Sequence, residues 1–236
     1  MQQLIVCGKN SVQDAIKDGL PILKIWVANE QNKNELLKHT KVNIEIKSKR
    51  ELDLLTKENH QGFAAFIKPP SFYDLSILEK DQPDLVLILD HIQDPHNFGA
   101  IIRSANAAGI KHIIYPKVRA ADINETVLKV SSGGFVGMKF IKVSSISATI
   151  TKLQKMYYWV YASALDHKAQ EMTQVSYSPK SAIIVGNEGS GVSKSTLSMV
   201  DQTVYIKQFG TVQSLNVSVA TGILLFDAVN KLRNEQ

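Results

Sequence analysis

The chain has 236 residues, 44% hydrophobic and 21% charged, with a formal net charge of +5. These proportions describe a globular protein long enough for one large domain or two modest ones, and they exclude a disordered chain. The longest apolar runs, "DLVLILD" and "GILLFDAV", fall far short of the roughly 20 residues that a membrane-crossing helix needs. The polar opening "MQQLIVCGKN" lacks the basic segment of a signal peptide, so a cytoplasmic protein with no membrane partner is expected. Cys7 is the only cysteine, which excludes an internal disulfide and a thiolate metal cluster and leaves a small packed hydrophobe. Residues 1–70 carry 11 Lys or Arg against 8 Asp or Glu, and the remainder 16 against 14, so neither part is a basic arm.

In chain order, "SVQDAIKDG" reads as a helix begun at Ser11, with Asp14 three residues on, and stopped at Gly19. "PILKIWVAN" and "KVNIEIKS" are strand-like, whereas "QNKNELLKH" and "KRELDLLTK" are helix-like. A small α/β unit is therefore expected over residues 1–69, closed by "HQGFAAFIK". The prolines and charges of "PPSFYDLSILEKDQPD" predict a linker over residues 70–84. From Leu85 to the end, apolar strand runs ("LVLILDH", "HIIYPKV", "YWVYASAL", "SAIIVGN", "QTVYIKQ") alternate with helical stretches. That alternation predicts an α/β domain over residues 85–236, a mostly parallel sheet with helices on both faces. In such sheets ligands bind beyond the carboxyl ends of the strands.

Three strands end in polar clusters. In "DHIQDPHNFGAIIRSANAAG", residues 90–109, Asn97 falls at a helix start, and Gly99, Arg103 and Asn106 share a helix face at i, i+4 and i+7. Arg103 is either a solvated surface side chain or a ligand-gripping one, beside a glycine that lets something approach. "IIVGNEGSG", residues 183–191, reverses the glycine order of the dinucleotide fingerprint and lacks the P-loop Lys-Ser/Thr, which argues against NAD or ATP. Glu188 there is either a solvated loop carboxylate or a placed acceptor. "IKQFGTVQSLNVSVATGILLFDAV", residues 206–229, alternates Ser214, Asn216 and Ser218 with apolar residues before an apolar helix, although one cap would suffice.

Together, D-x-x-x-D-P-x-N-x-G-x-I-x-R-x-A, G-N-E-G-x-G and G-x-V-x-S-L-N-V-S-V-A, in this order, resemble the three motifs of the SpoU/TrmH branch of the SPOUT RNA methyltransferases. "TVLKVSSGG" (126–134) is also similar to a family segment, and residues 1–70, including "HQG" at 60–62, are similar to an L30e-like RNA-binding domain. The resemblance points to the bacterial group that methylates a guanosine ribose in the peptidyl-transferase region of 23S rRNA. It implies transfer of the S-adenosylmethionine methyl to a 2'-hydroxyl without a metal, a trefoil knot near the carboxyl end, and a homodimer with the active site near the subunit interface. The implied RNA partner is 23S rRNA or a large-subunit assembly intermediate. The alternatives are a tRNA ribose 2'-O-methyltransferase and a catalytically silent RNA-binding homologue.

Carried over by position, the resemblance implies catalytic roles for Asn97, Arg103, Glu188, Ser214 and Asn216, and cofactor contacts by Gly186, Ile206 and Leu215. A guanidinium stays protonated, so Arg103 is expected to grip a phosphate and stabilise developing alkoxide charge while phosphate or water takes the proton. Glu188 would orient Arg103 or a loop amide. The chain departs from the family where the third motif often reads Ile-Pro-Met: here stand Ile206, Lys207, Gln208 and Phe209, and without the proline the loop is less preset. Lys207 is either solvated or set against RNA phosphate. His91 and His96 flank the first turn, either as acid-base groups or as local capping or packing residues. His39, His60, His112 and His167 have no metal-ligand spacing. Tyr157, Tyr158 and Trp159 are expected in the core rather than stacked on bases.

Overall fold

A computed structural model describes residues 4–57 and 59–234. The front part contains β1 (Leu4–Cys7), α1 (Lys9–Lys17), β2 (Ile22–Val27), α2 (Glu30–Leu37), β3 (Ile44–Ile46), α3 (Lys49–Leu55) and β4 (Phe63–Ile67). Its four-stranded sheet has the order β1-β4-β2-β3, with β4 antiparallel to both neighbours and β2 parallel to β3. Period-two alternation sorts the side chains: Ile25, Val27, Phe63 and Ala65 face α1 and α2, whereas Ala64 and Phe66 face α3, where Trp26 packs edge-on to Phe66. Ser48 and Glu51 close a reciprocal capping box at the start of α3. By contrast α1 begins at Lys9 behind Gly8, with no side-chain cap, so Ser11 lies inside the helix rather than at its start.

The segment expected as a linker is ordered. It supplies β5 (Phe72–Tyr73) and α4 (Ile77–Asp81). Leu78 is buried in the core, with Tyr73, Leu75 and Ile77 packed against the same cluster, and these apolar positions outweigh the prolines and charges that suggested a loop. Thereafter come β6 (Leu85–Asp90), α5 (Pro95–Ala107), β7 (His112–Pro116), α6 (Glu125–Ser131), β8 (Lys139–Val143), α7 (Ile146–Lys155), β9 (Trp159–Ser163), β10 (Gln170–Glu171), β11 (Ser181–Gly186), α8 (Lys194–Leu197), β12 (Gln202–Tyr205) and α9 (Val217–Asn234).

The eight-stranded sheet runs β10-β12-β9-β11-β6-β7-β8-β5 and its neighbouring pairs are all parallel. Leu85, Leu87 and Leu89 join the core under α5, α6 and α9, whereas Val86 and Ile88 join the core under α4, α7 and α8. Burial on both faces explains why the strands read as continuous apolar runs. Tyr158 is core, but Tyr157 is 85% exposed in a left-handed turn and Trp159 opens β9 half-exposed, so two of the three aromatics lie outside the core. Among the described residues no helix is long and apolar enough to cross a membrane.

Helices α5 and α6 meet backbone to backbone. A Cβ on Gly99 would lie 2.7 Å from Val130 Cβ and 2.8 Å from the Val127 carbonyl oxygen, so the neighbour that this glycine admits is α6, not a ligand. Gly99→Ala is expected to lower stability by roughly 1–3 kcal/mol through overpacking, measured by urea denaturation.

The Asp81 carboxylate accepts from His112 Nε2 at 2.7 Å and pairs with Lys139, tying α4 to β7 and β8. Burial lowers the His112 pKa more than Asp81 raises it. Lys139 first, then His112, hold Asp81 below its usual range. The folded state therefore takes up the His112 proton less readily than the unfolded chain, so this residue's share of stability falls as pH drops through about 6.5, the ordinary histidine value. Urea melts at pH 7.5 and 5.5 should show the native chain losing more stability on acidification than His112→Asn does.

Candidate active site

Strands β6 and β11 are neighbours in register, with Asp90 opposite Gly186. The strand order also changes direction at this pair, since β7 and β8 continue on one side and β9 and β12 on the other. This is the topological switch point where ligands of such sheets bind. The loops after β6 and β11 therefore emerge side by side. Asp90 is buried, its Oδ1 2.5 Å from His91 Nδ1 and its Oδ2 accepting from the Ser193 amide at 3.0 Å. It thereby clamps the two loops from below.

The β11 loop doubles back at once, since Asn187 and Gly191 exchange backbone hydrogen bonds of 3.0 and 2.9 Å. A Cβ on Gly186 would lie 2.0 Å from the Gly191 carbonyl carbon, so the turn itself demands glycine there. Asn187 Oδ1 accepts from the amides of Gly189 (3.0 Å) and Ser190 (3.2 Å), and its Nδ2 donates to the His91 carbonyl at 3.0 Å.

Helix α5 starts at Asp94, whose side chain accepts from the His96 amide, with Pro95 in the first turn. Asn97 thus lies within the first turn rather than at the cap. Glu188 reaches across the two loops to this helix start. Its Oε1 accepts from the Asp94 amide and from Asn97 Nδ2, both at 3.2 Å, and its Oε2 from the Gln93 amide at 3.5 Å. A carboxylate that accepts from the two amides leading into α5 sits at the positive end of the helix dipole. Of the two partners expected for Glu188, the loop amides are met and Arg103 is not.

Asn97 Oδ1 in turn accepts from Asn216 Nδ2 at 3.0 Å. Asn216 caps α9, its Oδ1 accepting from the Ser218 amide at 2.9 Å. One hydrogen-bonded chain, Glu188–Asn97–Asn216, therefore joins the three polar clusters that the sequence keeps far apart.

Beside this chain opens a cleft of about 240 Å³, whose lining includes Gly186, Ile206, Leu215 and Ser214 together with Ser163, Tyr205 and Gln208. All three residues expected at a cofactor line it. A larger cleft of about 600 Å³ lies elsewhere, between β1 and the start of α6, and shares none of these residues.

Arg103 stands apart. Six residues beyond Asn97 on α5, it lies about 9 Å along the axis and roughly 240° around it. Its Nη1 donates to Ser132 Oγ at 3.3 Å and the side chain is otherwise exposed. Ser132 ends α6 in the left-handed conformation, φ 45°. Asp90, Asn187 and Ser132 are the parts that sequence reasoning missed. Asp90 and Asn187 were visible as motif letters, but nothing in the order of residues marks Ser132 as the partner of Arg103. His91 is engaged with Asp90, and among the described residues no three His, Cys, Asp or Glu side chains form a group that could hold a metal.

Residues 84–226 match the model of the SpoU rRNA Methylase family, and residues 5–73 match that of the RNA 2'-O ribose methyltransferase substrate-binding domain. A Staphylococcus haemolyticus protein named for the TrmH family of tRNA/rRNA methyltransferases is 33% identical over 98% of this chain and 97% of its own. Among solved structures, the SpoU methyltransferase AviRb of Streptomyces viridochromogenes, in complex with the cofactor AdoMet, shares the fold. It has a TM-score of 0.74 and 22% identity, covering 99% of this chain and 92% of that one. The TrmH/SpoU tRNA-modifying enzyme of A. aeolicus is 29% identical with a TM-score of 0.60, covering 67% of this chain and 86% of its own.

Because Glu188 is the acceptor for the Gln93 and Asp94 amides, Glu188→Ala should speed their hydrogen exchange several-fold while leaving the amides of β6 unchanged, as read by NMR.

Proposed function

We propose that this chain, which belongs to the SpoU/TrmH family of RNA methyltransferases, methylates a ribose 2'-hydroxyl, with a guanosine of 23S rRNA in the peptidyl-transferase region as its target. S-adenosylmethionine is the methyl donor of the family. The observation that carries this reading is the Glu188–Asn97–Asn216 chain beside the cleft of Gly186, Ile206 and Leu215.

The bound cofactor supplies an electrophilic sulfonium methyl, so the protein's task is alignment and charge. The cleft fits such a group: its walls combine apolar side chains with backbone that bends closely around Gly186. Gly186, Ile206 and Leu215 would hold it. Ser214 lines the same cleft and is free to receive a ribose hydroxyl. Glu188 acts as a positioning residue, keeping Asn97 and the loop after β6 in place, and Asn216 ties both to α9. Arg103, with donors still facing solvent, grips the phosphate beside the target ribose and stabilises alkoxide charge, and phosphate or water takes the proton.

Since Arg103 lies away from the cleft of its own chain, the reading includes a homodimer in which the site is completed near the subunit interface. Val219 and Phe226 are exposed seven residues apart on α9, with Ile223 between them only half-buried, and Phe209 is 89% exposed on the preceding loop. An apolar stripe of that kind suits burial against a second copy. Further parts of the reading are a knot formed where the chain after β12 passes to α9, a front RNA-binding domain over residues 1–69 with the catalytic domain over 85–236, and a cytoplasmic location. Two separate sheets and the substrate-binding match over residues 5–73 support a division into two domains, with β5 and α4 belonging to the second sheet and its core, and by analogy a front domain of this kind favours rRNA over tRNA.

The test is methyl transfer from labelled S-adenosylmethionine to separate pools of unmodified large-subunit rRNA and tRNA. Label in rRNA, mapped to a 2'-oxygen, is expected. Arg103→Lys should lower the turnover number at least tenfold, because lysine lacks the planar fork. Label confined to tRNA overturns the rRNA target, and label in neither leaves a silent RNA binder.

A further inference from the structure

The cleft beside the motif chain has two kinds of polar side chain. Asn187 and Glu188 are committed inside the protein, to the turn amides and His91 in one case and to the start of α5 in the other. Ser163, Tyr205, Gln208 and Ser214 line the same cleft, and their side chains have no hydrogen-bonding partner among the described residues. Lys207 is turned away, its Nζ 3.8 Å from Glu171 Oε2 and stacked over the Phe209 ring. The alternation along this loop thus leaves Gln208 lining the cleft with its amide free.

We propose that Gln208 reads the adenine base of S-adenosylmethionine, a role that rests on the cleft being the cofactor site. Among the four free side chains only Gln208 carries a donor and an acceptor side by side in one plane. A hydroxyl can satisfy a ribose or a carboxylate oxygen, but a base edge presents an amine next to a ring nitrogen. The Gln208 Oε1 accepts from the exocyclic amine and Nε2 donates to the adjacent ring nitrogen, the pairing by which amide side chains recognise adenine in nucleic acids. A methionine in this place supplies contact area and no directional bond. The departure at Gln208 from the usual third motif thereby becomes a side-chain contribution to base recognition. No bond is made or broken in this step.

Isothermal titration calorimetry of the full chain tests it, using S-adenosylhomocysteine and its purine analogue in which hydrogen replaces the exocyclic amine. Gln208→Ala should weaken S-adenosylhomocysteine about tenfold, in line with a bidentate amide–adenine pair, and the purine analogue about threefold or less. Gln208→Met should resemble Gln208→Ala, and Lys207→Ala should leave both affinities within about twofold. Equal loss for both ligands, full affinity in Gln208→Met, or unchanged affinity in Gln208→Ala overturns the base-reading role while the cofactor site stands. If the unsubstituted chain binds neither compound, the cofactor reading falls and this role falls with it.

Discussion

The arrangement depends on one register: β6 and β11 lie side by side with Asp90 opposite Gly186. A shift of one residue would turn every inward side chain of a strand to the other face, and both faces are packed, so the register is held along the full length of both strands. The buried Asp90 carboxylate adds a polar lock, since its two oxygens receive His91 from its own loop and Ser193 from the other. A buried carboxylate left without these partners would be strongly unfavourable, so the two loops cannot separate without exposing it. Everything at the site inherits its position from this pair of strands.

On that base the protein uses close backbone approaches where side chains would blur the geometry. Gly99 lets α6 touch α5, Gly134 brings the turn after α6 to within 3.0 Å of Arg103 Cα, and Gly186 folds the second loop onto itself, the distances being those that an added Cβ would meet. Polar side chains then join the rigid pieces at their ends. Asn97 accepts from α9 and donates to Glu188, so a single amide serves three segments. Such a chain costs little when complete, and the loss of one member leaves groups unpaired on two elements.

Much of this was legible in the sequence, and for physical reasons. Strands buried on both faces cannot avoid reading as apolar runs, so "LVLILD" and "SAIIVG" declared a parallel sheet. Polar residues placed just after such runs pointed to the carboxyl ends. Other features were hidden because they depend on contacts across the fold. Phe72 and Tyr73 form a strand only because the edge of β8 is there to receive them, whereas locally their prolines and charges suggest a connector. Gly99 looked like room for a ligand because nothing in the order of residues places Val127 and Val130 against it. Glu188 read either as a solvated loop carboxylate or as a placed acceptor, and its choice of loop amides over Arg103 is decided by which way α5 is rotated.

The hydrogen-bonded chain at the site links residues 91 and 119 positions apart, from Asn97 to Glu188 and from Asn97 to Asn216. Closing such separations incurs loop entropy before any contact repays it, and parallel pairing over long intervals is slow. During synthesis the front sheet, complete by Ile67, can form while the rest is still being made. The hydrogen-bonded chain, by contrast, is complete only once Asn216 is present. Asn97 leaves the ribosome long before Asn216, so the first motif waits, without its partners, until nearly the whole chain has been translated. The link from Asn97 to Asn216 is therefore among the last contacts to form, and a chain truncated just before Ser214 would keep every described strand of its sheet while lacking Ser214, Leu215 and Asn216.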